Sequence, residues 1–229
     1  MPLPKIDHPL FDATLPSGKK VKYRPFTVKE EKVLLLAKEG NDAKSAFGAT
    51  QQIVNNCVVG DVQADRLPLF DIEYLFLLIR AKSVGSKVKL RIRHDEKTTV
   101  DTEVDLNQIN VRQPAKPHKG VVQLNKSVGI KLRHPTITTL MERDLKDIYD
   151  VLADCIDKVF EGDEVYDLKD FKKEEVDEFI SGFTTEHMEQ IKQFFDSAPT
   201  IEITAKYRTK DGGEHTKTIS GLGDFLGSA

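Results

Sequence analysis

Long hydrophobic runs, glycine-rich phosphate loops and a surplus of charge of one sign are all missing from this sequence, and cysteine is scarce. The densest apolar stretch, "LPLFDIEYLFLLIRAKSVG" at residues 67–85, is broken by Asp71 and Glu73. Crossing a bilayer takes roughly 20 nearly uninterrupted apolar residues, so no membrane span is expected. The opening "MPLPKIDHPLFDATLPSGKK" lacks a basic region followed by an apolar run, which predicts no signal peptide and a protein that stays where it is made. The two cysteines, Cys57 and Cys155, fall on apolar faces of expected helices. They read as small buried hydrophobes in a reducing compartment rather than as a disulfide. A net charge of -3, with both signs interspersed, gives no bulk attraction for nucleic acid.

Signatures of chemistry are equally sparse. The six histidines, His8, His94, His118, His134, His187 and His215, are scattered, and none pairs with another histidine or a cysteine at ligand spacing. There is no Gly-X-Ser-X-Gly elbow and no cysteine beside a local base motif. The acidic "EGDEVYDLKD" at 161–170 lacks the alternating acids and glycine of a calcium loop and reads as a solvated connector. The expectation is therefore no catalytic residue, no cofactor and no metal; a hydrolase would need a site assembled from distant residues.

What the sequence does carry is a series of short, well-signalled elements, which predicts an α+β fold with helices packed on antiparallel hairpins. Pro2, Pro4 and Pro9 make residues 1–13 an extended arm. A hairpin turning at Ser17-Gly18 follows, then a helix from Thr27 through Lys38, started by a Thr27/Glu30 capping box. A second helix is expected from Asp42 to Asn56, and a third in the apolar segment. Residues 14–111 form one α+β domain on this reading, "RQPAKPHKG" at 112–120 a linker, and 121–229 a second α+β domain. In the second, strands are expected at 121–124 and 128–133. Met141, Leu145, Ile148, Leu152, Cys155 and Val159 lie on one helical stripe and predict a single long core helix. Helices at 171–182 and 185–197 and a hairpin turning at Asp211-Gly212-Gly213 complete the chain. A helix followed by a hairpin at 68–109 and again at 185–226 suggests a weak internal repeat.

Two stretches bear on partners. In "KVKLRIR", Lys87, Lys89, Arg91 and Arg93 share one face of a strand. With Ile92 opposite Val100, the next strand places Asp105 against Lys87, Glu103 against Lys89 and Asp101 against Arg91, and Val104 against Val88. Such a face neutralises itself and is poorly suited to phosphates. A nucleic-acid-binding adaptor using basic hairpins is thus the weaker alternative. In the apolar helix, Ile72, Leu75, Phe76 and Ile79 lie on one face and Tyr74, Leu77 and Leu78 on the other. Asp71 with Lys82, and Glu73 with Arg80, line two hydrated edges. A helix of this kind must be sandwiched. Either the preceding helices, through Leu34, Leu35, Leu36, Ile53 and Val54, or a neighbouring subunit covers the second face.

The N-terminal "MPLPKID", "GKKVKYRPFTVKEEKVLLLAKE" at 18–39, "QIVNNC" at 52–57 and the apolar segment together resemble the baseplate hub subunit family of T4-type contractile-tailed bacteriophages. The likeness covers roughly residues 1–110 well and is looser beyond the linker, resting on the helix-rich middle and the terminal "GLGDFL". It implies a structural or assembly protein of the tail baseplate hub, acting through protein–protein contacts and without catalytic activity. Other baseplate and hub proteins are the implied partners, in an oligomer or hetero-complex, in the host cytoplasm during assembly or in the virion baseplate. Candidate partner contacts are Leu3, Ile6, Leu10 and Phe11 in the arm, and Tyr74, Leu77 and Leu78 on the helix.

Overall fold

The structure, a computed structural model, describes residues 6–221 apart from 41, 61, 97, 143–146 and 210. Along the chain run β1 (Phe11–Thr14), β2 (Lys20–Tyr23), α1 (Val28–Gly40), α2 (Ala43–Cys57), β3 (Val58–Val59), α3 (Leu69–Val84), β4 (Lys87–Arg93), β5 (Thr99–Asp105) and β6 (Asn110–Arg112). There follow β7 (Val121–Gln123), β8 (Val128–Leu132), α4 (Ile137–Glu142), α5 (Ile148–Cys155), β9 (Ile156–Glu161), β10 (Glu164–Tyr166), α6 (Lys173–Ser181), α7 (Thr185–Asp196), β11 (Thr200–Arg208) and β12 (Glu214–Ser220). The fold is α+β, and every strand pairing is antiparallel.

These elements form two compact units, residues 1–112 with 199–229, and residues 113–198. The division differs from the linear one expected at the linker, because the last hairpin returns to the first unit. Strand β11 pairs on one edge with β12 and on the other with β6, Ile201 standing opposite Val111. The same arrangement puts α7 in the second unit and the hairpin after it in the first. The second copy of the suggested helix–hairpin repeat is therefore divided between the two units.

In the first unit, β1, β2 and β3 form a small sheet, and β6, β11 and β12 another. Hairpin β4–β5 adopts the register expected from its charges and apolar residues, with Ile92 opposite Val100 and Lys87 opposite Asp105. Helix α3 is the spine. Pro68 precedes it, where no helical N–H is needed, and Gly85 ends it at φ 98, a conformation costly for other residues. Helix α2 packs along it, as do β11 and the turn at 106–108. Ile72, Leu75, Phe76 and Ile79 are fully buried.

Neither of the two edges expected to be hydrated on this helix is wholly so: Lys82 is exposed but Asp71 on the same edge is not, and on the other edge burial lowers the Arg80 pKa. Asp71 is completely buried, and Ser17 donates to its carboxylate from both the backbone N–H (3.0 Å) and the hydroxyl (2.5 Å). A buried carboxylate is tolerated only with such donors. Burial nonetheless pushes its pKa above the usual carboxylate range, with the Ser17 hydrogen bonds and Lys19 opposing.

In the second unit, a four-stranded sheet ordered β10-β9-β8-β7 packs on α5, α6 and α7 around Val122, Ile130, Leu132, Leu152, Ile156, Ile180, Ile191 and Phe194. The single long helix expected at 141–159 is not formed. Residues 137–142 and 148–155 are separate short helices, and Val159 lies in β9; Leu145 falls outside the described residues. The stretch at 161–170 expected as a connector instead holds the end of β9, a turn with Gly162 at φ 59, the whole of β10 and a short 3-10 turn at 168–170. Gly120 heads this unit at φ 71, and a Cβ there would sit 2.9 Å from the Phe194 ring and 3.0 Å from the Leu132 carbonyl oxygen. Gly120→Ala is expected to cost about 1–3 kcal/mol through the left-handed backbone and this contact. Chemical denaturation followed by hydrogen exchange in β7 and β8 would read it.

Candidate partner surface

Of the arm expected at 1–13, residues 1–5 lie outside the described residues, 6–10 belong to no helix or strand, and 11–13 are part of β1. Ile6 is 80% exposed and Leu10 53% exposed. Phe11 is held in place, its ring 5.7 Å from that of Tyr23 and beneath the Lys82 ammonium at 5.0 Å. Leu3 lies outside the described residues. On α3, Leu77 is 1% exposed and closed into the core, while Tyr74 and Leu78 are half-buried. The expected second face of α3 is thus covered largely by the first unit itself.

The cover does not come from every residue expected to supply it. Ile53 and Val54 of α2 are fully buried, but Leu35 and Leu36 of α1 are 58% and 57% exposed. Helix α1 packs on α2, with Val28 also turned to solvent. The orientation of α1 is fixed at its start. The Arg24 guanidinium donates to the Glu30 carboxylate (3.2 and 3.4 Å), to the Pro25 carbonyl (2.9 Å) and to the Asn56 carbonyl at the end of α2 (3.0 Å). The Glu30 half of the expected capping box forms, its carboxylate accepting from the Thr27 N–H at 2.8 Å, while the Thr27 hydroxyl also donates to that carboxylate at 2.6 Å. Burial would raise the Glu30 pKa, yet the hydrogen bonds from Arg24 and Thr27 and the guanidinium charge outweigh it and hold it at about 2. A buried, ionised Glu30 thus pins the helix that presents two neighbouring leucines to solvent. The sequence offered those leucines as one possible cover for α3, since three leucines in a row give no sign of which faces inward.

Histidines that are distant in sequence meet in space. His94 and His215 lie with ring centroids 4.5 Å apart, and His94 Nδ1 is 3.0 Å from the Tyr207 hydroxyl. In the second unit, His134 stacks on Phe194 at 4.3 Å, and burial lowers its pKa below the ordinary histidine value. His187 accepts from the Thr184 N–H at 3.1 Å and helps cap α7. Among the described residues, no three His, Cys, Asp or Glu side chains converge as a metal site. Cys57 and Cys155 are buried and free, their thiols pushed by burial to about 11 and about 12. They are inert packing groups.

The outer face of β4–β5 carries ion pairs, Arg91 to Asp101 at 3.0 Å and Lys87 to Glu103 at 3.2 Å. Among the described residues, no helix is long and apolar enough to cross a membrane.

No curated protein and no solved structure matches the chain. A family model described as "T4 bacteriophage base plate protein" matches residues 8–227, nearly the whole length, and the chain belongs to that family: it is a structural protein of the phage tail baseplate.

Proposed function

We propose that this protein is a subunit of the central hub of the baseplate, held there by protein–protein contacts made through the arm and the outward face of α1. The observation that carries the reading is the adjacent pair Leu35 and Leu36, exposed on a helix whose other side is locked to the fold by Arg24 and Glu30. Apolar side chains held rigidly at a surface lose little freedom on binding, which favours an interface. Leu3, Ile6, Leu10 and Phe11 form the second contact, a strap across a neighbouring hub protein, with Tyr74 and Leu78 at most at its margin and Leu77 beneath it. Assembly takes place in the host cytoplasm, and the protein remains in the virion baseplate.

Replacing Leu35 and Leu36 together with serine is expected to leave thermal unfolding within about 2 °C of the parent, as for exposed positions generally. The same variant, supplied to a phage lacking the gene, should fail to restore complete baseplates seen by electron microscopy. A purified protein that stays monomeric with all tail proteins present, together with normal baseplates from the phage lacking the gene, would overturn the proposal. The nucleic-acid alternative predicts steeply salt-dependent binding abolished by charge reversal at Lys89 and Arg91; the cross-strand ion pairs speak against it.

A further inference from the structure

The second unit contains a pocket of about 520 Å³ between α6 and the strands β8, β9 and β10. That volume lies within the range of about 300–1,000 Å³ typical of binding pockets. Val159, Leu168, Val176 and Phe179 give it an apolar lining, and Tyr166 and Phe171 complete the wall, their rings 6.3 Å apart. Phe171 is exposed, as is Val165 next to Tyr166 in β10, although both are large apolar side chains.

The charged groups lining this pocket are all carboxylates: Glu161, Glu175 and Glu178, each exposed. Of the nearby cations, two are engaged elsewhere, while the exposed Lys169 and Lys172 on either side of Phe171 offset only part of the acidic charge. Lys158 pairs with Asp167 at 3.0 Å, and Lys173 with Asp150 and with Asp177 at 3.2 Å. Glu175 is fixed by accepting from the Lys172 N–H at 2.9 Å, so its charge stays at the start of α6. Asp163, Glu164, Asp170 and Glu174 extend the same sign beyond the rim. An anionic ligand is repelled by this ring. A metal ion finds no three converging ligands among the described residues.

We propose that the pocket receives a large apolar side chain from a basic segment of another protein, with flanking Lys or Arg residues meeting Glu161, Glu175 and Glu178. Apolar burial anchors such a segment, and charge complementarity orients it and speeds its encounter. This contact is independent of the arm and of α1, so it stands or falls separately from the hub interface proposed above.

The test is fluorescence anisotropy of labelled hexapeptides with the purified full-length protein. Lys-Arg-Leu-Phe-Lys-Arg is expected to bind, and Lys-Arg-Ser-Ser-Lys-Arg and Glu-Glu-Leu-Phe-Glu-Glu each to bind at least about tenfold more weakly. Phe171→Ser, and separately Glu161→Lys with Glu178→Lys, should each weaken binding of the first peptide about fivefold or more while leaving thermal unfolding in place, since all three side chains are exposed. Equal binding of the serine peptide would mean generic charge attraction and overturn the proposal. So would no binding of the first peptide at millimolar concentration, or variants that bind it as the parent does.

Discussion

Replacing Phe76 with alanine is expected to destabilise the first unit by about 3–5 kcal/mol, the range for truncating a fully buried aromatic ring. Phe76 is 1% exposed, in the middle of α3. Helix α2, strand β11 and the turn at 106–108 pack on that helix from several sides, so no single neighbour can move in to fill the void without losing contacts of its own. At about 2–4 °C per kcal/mol for a chain of this size, the unfolding midpoint should fall by about 10 °C. The chain has two units, so the loss belongs to one of them, and hydrogen exchange is the measurement that assigns it. Protection should fall in α3 and β4 and persist in β7–β9. A loss spread equally over both units, or a midpoint within 2–3 °C of the parent (about 1 kcal/mol or less), would mean that α3 is not the spine of the first unit.

The register of β4–β5 was legible in the sequence because two independent patterns selected it. Alternating Val88, Leu90 and Ile92 fixed the inward face, and alternating charge on both strands fixed the offset; a slip by one residue would have spoiled both. The stretch at 137–161 misled for an equally physical reason. Ile156 and Val159 are both buried although three residues apart, which alternation in a regular strand forbids. Leu132 stands opposite Ile156 but Lys131 opposite Lys158, so Asp157 is the extra residue of a bulge that returns the strand to its inward phase. The resulting spacing of Leu152, Cys155, Ile156 and Val159 imitates a helical stripe.

Long-range partners left no local trace. Ser17 lies 54 positions from the Asp71 it satisfies, so the aspartate looked like an ordinary hydrated charge. The return of β11 to β6 across the whole second unit was invisible for the same reason. Of the candidate partner surface, the sequence proposed the arm but not Leu35 and Leu36, whose exposure depends on which side of α1 meets α2, and the Arg24–Glu30 pair decides that.

Replacing Arg24 with methionine is expected to cost about 3–5 kcal/mol at neutral pH, because it leaves a carboxylate buried without its cation. The Glu30 side chain is only 2% exposed. The same substitution removes the donor that satisfies Asn56 at the end of α2, so two helices lose their shared tie. The pH dependence gives the pair a signature of its own. Glu30 is held at about 2 in the folded protein against an ordinary value of 4.5, so the stability it contributes is present above 4.5 and is lost as pH falls toward 2. That shift corresponds to about 3 kcal/mol, in line with the mutational range. In the methionine variant, burial of Glu30 is no longer opposed by Arg24. The stability difference between parent and variant should therefore be largest above pH 5 and shrink steadily as the pH is lowered through 4 toward 2. Asp71 runs in the opposite sense: burial raises its pKa, so its own contribution is largest at low pH and declines as pH rises through the raised value. Both proteins carry Asp71, and its contribution cancels from the difference. Adding Glu30→Leu to the variant should recover much of the loss by removing the stranded charge. A difference that does not change with pH, or a double variant no more stable than the single one, would show that Arg24 acts only through packing and its carbonyl contacts.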